Sequence, residues 1–123
     1  MYKYETKLRV RYAETDQMKY VYYGVYAQYF EVGRVELLRN LGLSYKKLEE
    51  MGYALPVVNY KIDYKQPAYY DDELTIETTI VQIPKVKILF NYKTYNSSGD
   101  LLNIAETTLV FIDTSTGKVC KAP

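Results

Sequence analysis

The carboxylate placed to do chemistry is Asp16. It falls in the turn Tyr12-Ala13-Glu14-Thr15-Asp16-Gln17-Met18, directly ahead of a long helical pattern. From there a side chain can point at the free backbone N–H groups that open a helix. An oxygen that attacks or accepts a proton, set against N–H donors, supplies the two parts acyl transfer needs. One delivers a nucleophile to a carbonyl, and the other takes up the negative charge of the tetrahedral species. The competing reading is a turn or capping aspartate, the commoner role of Asp before a helix. Composition narrows the chemistry further. The chain has no histidine, which removes Ser-His-Asp and Cys-His catalysis, His-ligated metals and dehydratases that rely on a His base. Its one cysteine, Cys120, cannot form an internal disulfide, and it is read as incidental in a reducing, cytoplasmic setting. Carboxylates, hydroxyls, tyrosines and backbone dipoles remain, and no cofactor is called for.

These residues must be positioned by a chain of 123 residues, 48% hydrophobic, whose 16 Lys+Arg and 15 Asp+Glu are interleaved. That size and composition imply one domain spanning residues 1–123 with a core that needs no staple. The net charge of +1 argues against nucleic acid as the main partner. Met1 to Val10 alternates polar and apolar residues, reading as strand and not as a signal peptide or membrane span.

That first strand is expected over Tyr2 to Tyr12, with Tyr2, Tyr4, Thr6, Leu8, Val10 and Tyr12 on one face. The helix follows, its apolar stripe being Tyr26, Phe30, Gly33, Leu37 and Leu41. Gly42 closes it, and Ser44 caps a shorter helix that ends near Gly52. Everything after reads as strand: Val58 to Tyr64, the clearest alternation, stopped by Pro67; Leu74 to Ile80; Val86 to Tyr92, after a turn at Pro84; and Leu101 to Asp113, apolar on both faces as a central strand should be. Asn96 to Asp100 is a hairpin connection. One strand, a long helix and four consecutive strands imply an α+β fold, an antiparallel sheet packed on the helix. A helix of ~18 residues is about 27 Å long and strands of ~9 residues about 30 Å, so the sheet can wrap the helix along its length. Gly33 fits where the helix backbone must come close to the sheet, since glycine otherwise costs ~1 kcal/mol in a helix interior.

The run from Val10-Arg11-Tyr12-Ala13-Glu14-Thr15-Asp16 through Gly24-Val25-Tyr26-Ala27-Gln28-Tyr29-Phe30-Glu31 resembles the signature of hotdog-fold acyl-CoA thioesterases of the 4-hydroxybenzoyl-CoA thioesterase class. The likeness continues through Leu41 to Tyr45, Leu55 to Val58, Tyr64 to Ala68, Tyr70 to Leu74 and Phe111 to Asp113. The resemblance implies a hotdog fold, a five-stranded antiparallel sheet around a long central helix. It also implies a homo-oligomer, dimer or tetramer, with active sites between subunits, and an acyl-CoA substrate. Asp16 matches the catalytic carboxylate, nucleophile or general base for water, and Tyr23 the residue whose backbone N–H polarises the thioester carbonyl. Thiolate leaves readily, so this chemistry does not need the missing histidine as an acid.

Of the 16 tyrosines, Tyr20, Tyr22 and Tyr26 cluster beside Asp16 and are expected to bind the acyl group, although tyrosines at such spacings more often pack cores and interfaces. Three positions depart from the family pattern: Lys19 stands where glycine is usual, Tyr23 where many relatives have histidine, and Val25 where asparagine is frequent. Glu31 is a second carboxylate, because related hotdog enzymes can place a catalytic glutamate on this helix; its spacing to Arg34 also permits a surface ion pair. Coenzyme A would bring phosphates, for which Lys61, Lys65, Lys85, Lys87 and Lys93 are open choices. The expected activity is acyl-CoA thioester hydrolysis. An acyl carrier protein thioesterase and a non-catalytic acyl-thioester-binding protein are the alternatives, and a dehydratase is disfavoured by the missing histidine.

Overall fold

In the computed structural model, which describes residues 1–123, β1 (Tyr2–Arg9) leads through two 3-10 turns, Tyr12–Glu14 and Tyr23–Val25, into α1 (Tyr26–Asn40) and α2 (Tyr45–Glu50). There follow β2 (Tyr53–Ala54), β3 (Val57–Tyr64), β4 (Glu73–Ile80), β5 (Lys87–Tyr95), β6 (Leu101–Val110), β7 (Ile112–Asp113) and β8 (Lys118–Val119). Five strands form an antiparallel sheet in the order β1-β4-β5-β6-β3, and β2, β7 and β8 form a small second sheet. No helix is long and apolar enough to cross a membrane.

Local chemistry sets the boundaries. β1 alternates as its sequence does, but it ends at Arg9, and Tyr12 lies in a 3-10 turn, 78% exposed. The Glu14 carboxylate accepts the Arg11 N–H and bends the chain off the sheet, so Tyr12 leaves the strand face expected of it. The second 3-10 turn runs directly into α1, and together they cover residues 23–40, the length the pattern implied. Tyr26, Tyr29, Phe30, Gly33, Leu37 and Leu38 are buried along α1. Leu41, expected in that stripe, is instead the C-cap and about half exposed. Gly42, at φ +83°, ends the helix in the left-handed region where a Cβ is costly. Ser44 Oγ accepts the Lys47 N–H at 3.1 Å and starts α2.

α1 lies across β1 and β4, and Gly33 marks the closest approach: a Cβ there would sit 2.5 Å from Thr78 Oγ1 and 3.2 Å from Ile76 Cγ2. Phe30, Leu37, Leu74, Ile76, Phe90, Tyr92 and Leu109 fill the space between the layers, with the Phe30 and Tyr92 rings stacked 4.5 Å apart.

Two strand expectations change. Consecutive strands are expected to pair as hairpins, but β3 does not pair with β4; the chain crosses to the far edge of the sheet, where β3 pairs with β6 and leaves its other side unpaired. The single strand expected over Leu101 to Asp113 is two. β6 ends at Val110, and β7 joins β2 and β8 because the Phe111 N–H turns to the Val86 carbonyl at 3.1 Å. Near its start β6 carries a bulge: Thr94 pairs with Asn103 but Tyr95 with Leu101, which leaves Leu102 outside the ladder. The freed Leu102 carbonyl accepts the N–H groups of Lys65 and Gln66 at 2.7 and 3.0 Å. Bulges commonly re-aim a neighbouring segment in this way, and here that segment forms a wall of the cleft described next.

Candidate active site

Residues 14–22 form a small hairpin that presents Asp16. The Tyr22 N–H donates to the Glu14 carbonyl at 3.0 Å, Thr15 bridges to Val21, and the Asp16 N–H donates to the Tyr20 carbonyl at 3.0 Å. The Lys19 N–H returns to the Asp16 carbonyl at 2.9 Å, and Asp16 Oδ1 accepts the Met18 N–H, also at 2.9 Å. The turn closes through Lys19 at φ +69°, a conformation in which a side chain is strained and glycine is not. That explains why glycine suits this position. The Lys19 side chain is exposed and does not line the cleft beside Asp16. The second arm docks onto the loop after β3 through the Val21 N–H to the Ala68 carbonyl at 2.8 Å and a bridge between Tyr20 and Tyr69.

Beyond the hairpin the 3-10 turn opens at Tyr23, and no side chain caps it. The first N–H groups of a helical turn have no acceptor within it, and the Tyr23 N–H makes no other backbone hydrogen bond. Asp16, Tyr20, Val21, Tyr23 and Tyr26 from this region meet Tyr64, Lys65, Gln66 and Pro67 around a cleft of about 410 Å³. Asp16 is its one carboxylate and Lys65 its one cation. Burial pushes the Tyr26 hydroxyl up to about 12, and burial together with the neighbouring Tyr23 raises Tyr64. These phenols are therefore neutral donors at neutral pH.

Residues 10–123 match the family described as the thioesterase-like superfamily. The chain belongs to it. This thioesterase-like chain is 36% identical to YneP of Bacillus subtilis over 92% of its own length and 82% of the relative's. It is 33% identical to the acyl-CoA thioester hydrolase YbgC of Escherichia coli, over 86% of its own length and 79% of the relative's. Among solved structures it superposes on the DHNA-CoA thioesterase of Staphylococcus aureus with a TM-score of 0.94 at 31% identity, covering 98% of this chain and 81% of that one. Its five-stranded sheet and long helix are thus a hotdog fold, as the resemblance implied.

Of the residues expected at the site, Asp16, Tyr20, Tyr23 and Tyr26 come together in the thioesterase-like cleft. Tyr22 does not join them. It is exposed, its ring lies 4.6 Å from that of Tyr23, and its edge covers Gly24. Of the five lysines, Lys65 alone reaches the cleft. Lys61 and Lys93 line a hollow on the outer face of the sheet, and Lys85 and Lys87 a separate depression. Glu31 is exposed and forms no pair with Arg34. Arg34 turns inward instead, its Nε donating to the Tyr45 hydroxyl at 3.0 Å and its Nη1 to that of Tyr92 at 3.2 Å. Val25 packs against the core. Sequence reasoning gave no site role to Tyr64 or Gln66; the signal was the quoted run Tyr64 to Ala68, which the Leu102 bulge draws to the cleft.

Proposed function

We propose that this chain hydrolyses acyl-CoA thioesters, with Asp16 as general base for water or as nucleophile and the Tyr23 backbone N–H as oxyanion donor. The thioester-hydrolase class rests on the family and on relatives such as YbgC, named as an acyl-CoA thioester hydrolase. The observation that carries the residue assignment is the cleft itself, in which one carboxylate shares a wall with an uncapped helical turn. An oxyanion donor of this kind contributes ~3 kcal/mol to the transition state, and a positioned base about 10²- to 10⁴-fold in rate. The same geometry weighs against a non-catalytic acyl-thioester binder, since of the two departures that suggest it, Lys19 stays outside the cleft and Val25 packs against the core.

The acyl group lies against Tyr20, Tyr26 and Tyr64, flat rings that suit an aromatic acyl group. In support, the Staphylococcus aureus neighbour is named a DHNA-CoA thioesterase and one from Synechocystis, 28% identical with a TM-score of 0.90, a 1,4-dihydroxy-2-naphthoyl-CoA thioesterase. Lys65, beside the cleft, receives a phosphate of coenzyme A. Two copies of the chain join along β3, whose unpaired edge leaves Val57, Val58, Tyr60 and Tyr64 exposed.

The test is thiol release from a panel of aryl and aliphatic acyl-CoAs and their acyl carrier protein counterparts, with Asp16→Asn and Lys65→Gln. Asp16→Asn should lose about 10²-fold or more in kcat while keeping its melting temperature, because the Asn carbonyl oxygen can still accept the Met18 N–H. Lys65→Gln should raise KM for CoA substrates and leave kcat in place. Undiminished turnover in Asp16→Asn refutes the assignment; a preference for carrier-protein substrates reassigns the thioester carrier.

A further inference from the structure

Two residues ahead of Asp16 stands a carboxylate that takes no chemical part in the reaction just described. Glu14 is 9% exposed. Its Oε1 accepts both the Arg11 N–H and the Tyr29 hydroxyl, each at 2.8 Å, and its Oε2 accepts Arg11 Nε at 3.0 Å. Burial pushes its pKa up, but the Arg11 N–H, the Tyr29 hydroxyl and the Arg11 guanidinium outweigh that and leave it below the ordinary glutamate value. These contacts therefore favour the anion. Its backbone is engaged as well, the carbonyl accepting the Tyr22 N–H at 3.0 Å.

These bonds converge on the reaction geometry. Asp16 sits near the turn of the hairpin, and Tyr23 follows the last residue of its second arm. The Glu14–Tyr22 bond closes the open end between the arms, while the Glu14–Tyr29 bond fastens that end to the first turn of α1. A buried carboxylate is a poor source of stability compared with apolar packing of the same volume. What it supplies is direction, because hydrogen bonds to two oxygens fix orientation where apolar contact does not.

The geometry points to Glu14 as a positioning residue: tied through Tyr29 to α1 and through Tyr22 to the oxyanion turn, it sets the Asp16 carboxylate against the Tyr23 N–H. This inference rests on the Asp16–Tyr23 reading above. Glu14 touches neither substrate nor reacting atoms, so it acts on how often the two groups are in register.

Single-turnover and steady-state kinetics on Glu14→Ala, Glu14→Gln, Tyr29→Phe and Asp16→Asn test it, normalised to folded protein. A displacement of about 1 Å in such a pair costs on the order of 10²-fold, so Glu14→Ala should lose about that factor in kcat with KM within about threefold of the parent. Glu14→Gln keeps an acceptor for the Arg11 N–H and the Tyr29 hydroxyl and should recover part of the loss. Tyr29→Phe removes one hydrogen bond and retains the ring, so it reports on the same tie even where Glu14→Ala folds poorly; it should lose about tenfold in kcat, and nothing more when added to Glu14→Ala. If folded Tyr29→Phe and Glu14→Gln both keep kcat within about twofold while their stability falls, Glu14 is structural only and the inference is overturned. In that case an inactive Asp16→Asn leaves the catalytic assignment standing, whereas an active Asp16→Asn overturns both.

Discussion

Replacing Gly33 with alanine adds one methyl group where α1 presses on the sheet, and the structure fixes what it would meet. The new Cβ lies 2.5 Å from Thr78 Oγ1 and 3.2 Å from Ile76 Cγ2, the first about 1 Å inside ordinary contact. Thr78 is fully buried and β-branched, hence stiff about χ1, and a helix packed along its length cannot lift at one residue. Two terms oppose each other. Helix propensity favours alanine by about 1 kcal/mol, and overpacking a filled core costs about 1–3 kcal/mol. Because the overlap involves two buried side chains, the upper part of that range applies and the net loss is about 1–2 kcal/mol. For 123 residues the unfolding entropy is about 0.26 kcal/mol/K, so the melting temperature should fall by about 4–8 °C. Urea unfolding and calorimetry measure this directly. The discriminating experiment repeats the substitution in a Thr78→Ala background. Thr78 Oγ1 makes no hydrogen bond, so its removal breaks none, and with the closer overlap gone and only the 3.2 Å Ile76 contact left, Gly33→Ala should cost less than in the parent, a coupling of at least ~1 kcal/mol. The reasoning fails if Gly33→Ala stabilises the parent, or if its effect is the same in both backgrounds.

Lys19→Gly should stabilise by about 0.5–1 kcal/mol, the relief of a left-handed side chain less the entropy glycine gains in the unfolded chain, and should leave kcat unchanged; lower stability in urea would show that the turn does not strain Lys19. Glu14 gives a pH signature. Its folded pKa is depressed below the usual 4.5, so the stability it contributes is complete above that value and drains away as pH falls through the lowered one. The parent should therefore lose more stability than Glu14→Gln as the pH is lowered past 4.5, read from urea midpoints; parallel acid limbs would count against the buried anion. Val58→Asp puts a charge on the open β3 edge and should leave a monomer of 14.4 kDa by light scattering; an unchanged assembly mass places the subunit contact elsewhere.

What the sequence made legible was whatever is encoded within a few residues. The alternation of β1 and the α1 stripe around Phe30 and Leu37 read correctly because burial on one side imposes a period. Gly42 and Ser44 mark real helix boundaries because a left-handed terminator and a capping hydroxyl act on adjacent backbone groups. Strand order was not legible: nothing local in Lys65 to Asp72 says that the chain crosses the sheet and leaves β3 at the far edge. Arg34 shows the same limit. Its spacing from Glu31 allowed a surface pair, yet the hydroxyls of Tyr45 and Tyr92, distant in sequence, draw it inward. At the site, Asp16 was legible as a carboxylate ahead of a helix start, whereas Tyr23 came from the family resemblance; both line the cleft. Gln66 was not, because its place depends on a bulge at Leu102 on another strand.

The arrangement suits a chain without histidine. A thioester has a leaving group that departs as a stable thiolate, so the protein need only supply an oxygen and a place for charge, and the demand shifts from chemical variety to geometry. The residues around the cleft meet that demand with backbone bonds. The hairpin from Glu14 to Tyr22 is laddered at three successive positions, the turn at Tyr23 is left uncapped, and the Leu102 carbonyl fixes Lys65 and Gln66. Side chains are thereby left free to line the cleft, where tyrosine is the commonest residue. It follows that substitutions among Tyr20, Tyr26 and Tyr64 should redistribute preference within the acyl-CoA panel, whereas those that loosen the hairpin should lower turnover for every acyl group alike. The two kinds of residue are thus separable by the pattern of their effects across substrates, not by the size of the effect on any one.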